Sequence, residues 1–119
     1  MHELSIALSI IEMAEEEIAR QDNVQVTAIH LRLGMLSGVA REALLSSFEI
    51  ACEGTALQGS RLVIEELPII VYCPKCGAQR PVNTVEWFTC PVCHTATPDI
   101  VQGKELQVAA LEIAEALPV

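Results

Sequence analysis

The chain has 119 residues, an apolar share of 51% and a formal charge of −9, which allows one modest core plus a small appendage. No apolar run approaches the roughly 18 residues of a membrane span, and Glu3 stands where a secretory signal carries basic residues, so the expected location is the cytoplasm. A phosphate backbone repels so acidic a surface unless a basic patch is segregated; residues 69–103 set only Lys75 and Arg80 against Glu86 and Asp99, so nucleic acid is not an expected partner.

The first element is an amphipathic helix. Leu4, Ala7, Leu8, Ile11, Ala14 and Ile18 recur at helical spacing, while Glu12, Glu15, Glu16 and Arg20 take other faces over about five turns. Asp22 and Asn23 end it. From Val24 to Leu33 the pattern becomes alternating, with Ile29, Leu31 and Leu33 on one face and His30 and Arg32 on the other, and Gly34 closes the strand. Gly38 introduces a second helix with the stripe Leu44, Leu45, Phe48, Ala51 and Cys52, and Gly54 is its expected C-terminal cap. Arg61 to Leu67 reads as a strand.

Residues 1–67 contain no proline, whereas Pro68, Pro74, Pro81, Pro91 and Pro98 crowd the following stretch, a second module that also holds Tyr72 and whose small core is read as Trp87 and Phe88. That module carries two hooks, Cys73-Pro74-Lys75-Cys76 and Cys90-Pro91-Val92-Cys93, separated by thirteen residues. Each Cys-x-x-Cys turns tightly enough for two thiolates to grip one ion, and the spacing suffices for a hairpin that opposes the pairs, as a tetrahedral zinc site requires. Such a closed site leaves no open coordination position, so its zinc is structural. A reducing cytoplasm and an odd count of five cysteines argue against a disulfide framework, leaving Cys52 as a spare thiol that fits a helix core.

The last sixteen residues include Leu106 to Ile113, strand-like by composition although a short helix stays open, and too small to fold alone. A ribbon's ends lie close together, so the strand ending at Leu67 and the segment leaving at Lys104 are expected to pair antiparallel. The expected fold is α+β: two helices packed on a small mixed β-sheet from residues 1–68 plus 104–119, with a four-cysteine zinc ribbon, 69–103, inserted.

Met1-His2-Glu3 stands directly before the first helix and gathers an amine, an imidazole and backbone amides that lack intrahelical acceptors. The Met1 amine, the His2 and Glu3 amides and one His2 ring nitrogen form a square-planar nitrogen set suited to Ni(II) or Cu(II). The site needs residue 1 in place, and a bulky second residue such as His2 is expected to prevent removal of the methionine. Taken alone, a histidine at a terminus is more often an exposed residue on a frayed end.

Met1-His2-Glu3-Leu4-Ser5, Gly34-Met35-Leu36-Ser37-Gly38-Val39, Phe48-Glu49, Gly54-Thr55, Ile64-Glu65, the two Cys-Pro-x-Cys hooks and Gly103-Lys104-Glu105-Leu106, in that order, resemble the HypA/HybF family of hydrogenase-maturation nickel metallochaperones. The resemblance covers essentially the whole chain. It implies nickel bound at the N-terminus with His2 as ligand beside the Met1 amine and the Glu3 amide, and structural zinc on Cys73, Cys76, Cys90 and Cys93. It further implies transfer of nickel to the [NiFe]-hydrogenase large subunit precursor together with the HypB-type GTPase. The sequence leaves open a urease recipient and whether the chain is a monomer or a homodimer exchanging segments. One departure is His94, where the commoner family pattern has glycine; that position often needs positive φ, which His tolerates better than most residues.

Three rival readings remain in view. Cys90-Pro91-Val92-Cys93-His94 also matches the haem-attachment motif, but haem would leave Cys73 and Cys76 without a role. A zinc-ribbon interaction or assembly module with no nickel role fits the hooks equally well, and paired cysteines can be redox active. Enzymatic turnover is not expected, since the sequence has neither a phosphate-binding loop nor a nucleophile with a base and an orienting partner.

Overall fold

A computed structural model describes residues 2–22, 24–82, 89–96 and 99–115. In chain order the elements are α1 (Glu3–Arg20), β1 (Val24–Gly34), α2 (Arg41–Cys52), β2 (Arg61–Leu67), β3 (Ile69–Cys73), β4 (Ala78–Val82), β5 (Asp99–Gln102) and β6 (Leu106–Glu115). The strands form two three-stranded sheets, ordered β2-β1-β6 and β4-β3-β5. The fold is thus α+β, two helices with small sheets and a four-cysteine module. The chain divides into two compact units, one of Met1–Leu31, Val39–Ile64 and Val108–Val119, the other of Arg32–Gly38 and Glu65–Gln107.

In the first unit α1 packs on α2. Its segment lacks glycine and proline and is rich in Ala, Leu, Ile and Glu, which favours helix over its whole length. The buried face is Ala7, Ile10, Ile11 and Ala14, at the i, i+3, i+4, i+7 spacing of one helical side. This corrects the expected stripe, because Leu4 and Leu8 are 50% and 52% exposed. Apolar residues stand on several sides of α1, so composition leaves its rotation undetermined and its packing partners decide which side is covered. In α2 the interior positions are Leu44, Phe48 and Cys52, spaced one turn apart, which makes Cys52 a core residue. Gly54 is not a simple helix cap. Glu53 and Gly54, at φ −58 and φ +75, are the central residues of a type II turn closed by the Thr55 N–H to the Cys52 carbonyl at 3.0 Å, and the second central position calls for glycine.

β1 is the longest strand and takes the centre of its sheet. Val26 and Ala28 are buried together with Ile29, Leu31 and Leu33, so residues of both parities are covered. The expected pairing of the strand ending at Leu67 with the C-terminal segment is therefore corrected: β2 and β6 flank β1 and do not pair with each other. The C-terminal segment is strand and not helix.

The second unit is an antiparallel sheet in which Ile69 faces Val82, Val71 faces Arg80 and Cys73 faces Ala78, while on the other edge Val71 faces Ile100 and Tyr72 faces Asp99. Pro81 is tolerated because β4 is an edge strand. Its core is Ile69, Val71 and Val82 with Leu36 and Ile100 against them. Tyr72 is 37% exposed on the opposite face, and Trp87 and Phe88, the expected core of this module, lie outside the described residues. The segment at Gly34 is stitched into the same unit by the N–H groups of Gly34, Met35 and Leu36, which donate to the carbonyls of Glu105, Leu67 and Gly103.

Gly34 has a steric requirement, since a Cβ there would lie 2.1 Å from the Gly103 carbonyl oxygen. Backbone cannot swing aside as a side chain can. Gly34→Ala is expected to lower the unfolding free energy by about 3 kcal/mol, the upper end of overpacking costs. Gly59→Ala, where nothing lies within 4 Å and only the φ of +88 is unfavourable, is expected to cost about 1–2 kcal/mol. Urea denaturation of the two variants checks the order.

Candidate metal centre

The two hooks fold alike. In each, the residue after the second cysteine donates its N–H to the first cysteine's carbonyl, Gly77 to Cys73 and His94 to Cys90, both at 2.8 Å. That bond turns the chain into the left-handed region, with φ +65 at Gly77 and φ +63 at His94, the one non-glycine residue with positive φ among those described. The turned backbone aims amides at sulfur: Cys76 N–H lies 3.4 Å from Cys73 Sγ, and Val92 N–H 3.4 Å from Cys90 Sγ. The first hook is closed by the Cys73–Ala78 pairing and the second by the Cys90 N–H to the Thr95 carbonyl at 2.9 Å with a bridge between Thr89 and Ala96.

This geometry brings Cys73, Cys76, Cys90 and Cys93 together, their sulfurs all within 4.8 Å of one another. Cys73 Sγ is 3.5 Å from Cys93 Sγ and Cys76 Sγ is 3.8 Å from Cys90 Sγ, so none is in a disulfide. A tetrahedron built on metal–sulfur bonds of about 2.3 Å has edges of about 3.8 Å, so the set fits one four-coordinate ion. Cys73 and Cys90 are fully buried and Cys76 and Cys93 half-buried.

The protons are unequally shared. Cys76 is pushed up to about 11, first by its hydrogen bond with Cys93. Cys93 is pulled down to about 6, first by the Thr95 side chain, whose hydroxyl lies 3.2 Å from the sulfur. Cys90 is lowered by the amides of Cys93 and Val92. A metal entering this site meets two sulfurs disposed to ionise, Cys90 and Cys93, and displaces the protons that remain.

Thr95 and Arg80 escaped the sequence reading. Arg80 sits within hydrogen-bonding reach of Cys76 and Cys90, and these contacts raise its pKa. A threonine two positions past a hook is a weak signal, and nothing local marks an arginine on β4 as a neighbour of both hooks.

At the other candidate site, His2 is the N-cap of α1. Its carbonyl accepts the Ile6 N–H at 3.2 Å, while its exposed side chain makes no capping hydrogen bond. Glu3 opens the helix, and its carboxylate accepts the N–H of Ala40, the N-cap of α2, at 3.1 Å. That bond chiefly lowers the Glu3 pKa and ties the start of one helix to the start of the other. Met1 lies outside the described residues. His30, on the polar face of β1, faces Glu112, with Nε2 3.3 Å from Oε2. Among the described residues no helix is long and apolar enough to cross a membrane.

Residues 1–113 match the family model described as hydrogenase/urease nickel incorporation, metallochaperone, HypA. A hydrogenase maturation factor HypA from Roseiflexus sp. (strain RS-1) is 50% identical over 118 residues, covering 99% of this chain and 96% of that protein. One from Chloroflexus aurantiacus (strain J-10-fl) is 46% identical over 112 residues, covering 94% and 98%. A solution structure of the nickel metallochaperone HypA from Helicobacter pylori covers 97% of this chain and 99% of its own, with a TM-score of 0.66 at 24% identity. A second HypA solution structure gives 0.70, also at 24%, over 96% and 97%; at that identity both speak to the fold. These relatives are metallochaperones and maturation factors, not enzymes. With its family match running through both the helical start and the cysteine hooks, the chain belongs to the HypA family of hydrogenase and urease nickel-incorporation metallochaperones.

Proposed function

We propose that this chain carries Ni(II) on a nitrogen set of the Met1 amine, the His2 and Glu3 amides and a His2 ring nitrogen. It hands the ion, in the cytoplasm and together with a HypB-type GTPase, to the large subunit precursor of a [NiFe]-hydrogenase. The family description pairs hydrogenase with urease, which makes a urease the second candidate recipient. The observation that carries this reading is the start of α1. His2 presents an exposed imidazole with no capping duty, and the first-turn amides have no intrahelical acceptor. The Glu3 carboxylate is engaged by Ala40, so this residue's contribution to nickel is its backbone nitrogen.

The ion on Cys73, Cys76, Cys90 and Cys93 is structural zinc, because four thiolates in a closed tetrahedral site suit zinc and disfavour the square-planar geometry of Ni(II). Residues 1–68 plus 104–119 form the nickel domain, and residues 69–103 the inserted ribbon that zinc holds together.

The nickel site demands an amine on residue 1 directly before His2. Calorimetric nickel titration of the untagged chain is expected to show one tight site that is lost both on adding a glycine before Met1 and in His2→Ala, with zinc unchanged at one per chain. If the extended chain binds nickel as tightly as the native one, the N-terminal site is wrong. A native chain that binds no nickel favours an interaction module built on the zinc ribbon.

Zinc and ribbon folding are expected to be coupled, so Cys76→Ala should lose the metal and the native NMR shifts of the ribbon. One tight zinc and native shifts in that variant would reject the coupling.

Acid should release the metal by protonating sulfur. A thiol held at about 6 against an ordinary 9.0 contributes fully to the folded ribbon above pH 9, and that contribution is lost as the pH falls through 6. Thr95→Val removes the first cause of the depression, so the midpoint of acid zinc release is expected at higher pH. An unchanged midpoint assigns Thr95 no part in holding the thiolate.

A further inference from the structure

Arg80 stands on β4 opposite Val71, in a register that also pairs Ala78 with Cys73, so its side chain shares the hairpin face that carries the first cysteine. Its Nε is shut off from solvent without a hydrogen-bond partner among the described residues. Nor does Arg80 form an ion pair with a carboxylate among them. A guanidinium nitrogen shielded in this way favours an anionic partner beside it. The sulfurs of Cys76 and Cys90, which it reaches by hydrogen bonding, supply one when ionised.

Charge balance works in the same direction. Four thiolates around a divalent cation leave an excess of two negative charges, and a guanidinium beside them offsets one. The Cys76 and Cys90 sulfurs come from different hooks and lie 3.8 Å apart. A planar fork with several fixed donors can serve two such acceptors at once, whereas a lysine ammonium is a single point charge on a flexible stem.

We propose that Arg80 is the charge partner of the four-cysteine metal site, donating to the thiolates of Cys76 and Cys90 and so linking the two hooks through their sulfurs. It is a positioning residue that acts through the ligands and does not touch the ion. Outer partners of this kind orient ligands and tune the metal they hold. The inference rests on the reading of the cysteines as the zinc ligands.

The test uses the full-length chain loaded with Co(II), whose thiolate-to-metal charge-transfer absorption reports the electron density on sulfur. The native chain, Arg80→Gln and Arg80→Lys are compared for band position and, by chelator competition, for affinity. Arg80→Gln is expected to move the band to longer wavelength, since a thiolate without its donor gives up charge more easily, and to weaken metal binding about 10–100-fold. Arg80→Lys should recover part of the affinity while its band stays displaced. If Arg80→Gln does not fold, Arg80→Lys decides alone, a displaced band supporting the proposal and a native band overturning it. Lower affinity with the native band in both variants would make Arg80 a packing residue only and overturn it too. A native chain that takes up no tetrathiolate cobalt overturns the reading of the metal site, and this inference with it.

Discussion

Four sulfur atoms from two separate hooks have to converge within the edge of one coordination tetrahedron, and the conformation of the second unit follows from that demand. Each hook must reverse within four residues. The reversal is fixed by the amide after the second cysteine bonding back to the first cysteine's carbonyl, which forces a left-handed residue at Gly77 and at His94. Among the described residues the apolar core that accompanies the hooks is Ile69, Val71 and Val82 with two partly buried neighbours. On the proposed reading, the bonds made by the metal add to what this packing supplies.

The polar surroundings of the sulfurs follow from the same demand. Gathering four ionisable thiols in a half-buried space concentrates negative charge in a chain whose formal charge is already −9. Polar partners therefore surround the cluster: the amides of Cys76, Val92 and Cys93, the Thr95 hydroxyl and the Arg80 guanidinium. Cys76 and Cys93 are displaced in opposite directions, Cys76 raised first by its hydrogen bond with Cys93 and Cys93 lowered first by the Thr95 side chain.

On the proposed reading, two sites with different donor chemistry keep two ions apart. Thiolates in a closed tetrahedron favour a resident ion that the chain keeps, whereas an exposed set of backbone and imidazole nitrogens at a helix start suits an ion that arrives and leaves. The Glu3–Ala40 bond restrains the start of α1 without closing it off, since His2 remains exposed. A carrier needs that combination of order and access.

Much was legible in the residues themselves. The helix over Glu3–Arg20, the strand over Arg61–Leu67, the two hooks and the core placement of Cys52 all depend on periodicity, spacing or turn chemistry, which act over a few residues and are written directly in the chain. So does the positive φ expected at His94, a demand of the hook on its own backbone. The rotation of α1, the exposure of Leu4 and Leu8, the central position of β1 and the approach of Arg80 to the sulfurs were decided only by tertiary structure. Each depends on which distant segment covers which face, and several arrangements of the same local pattern are equally compatible with the sequence until long-range packing selects one.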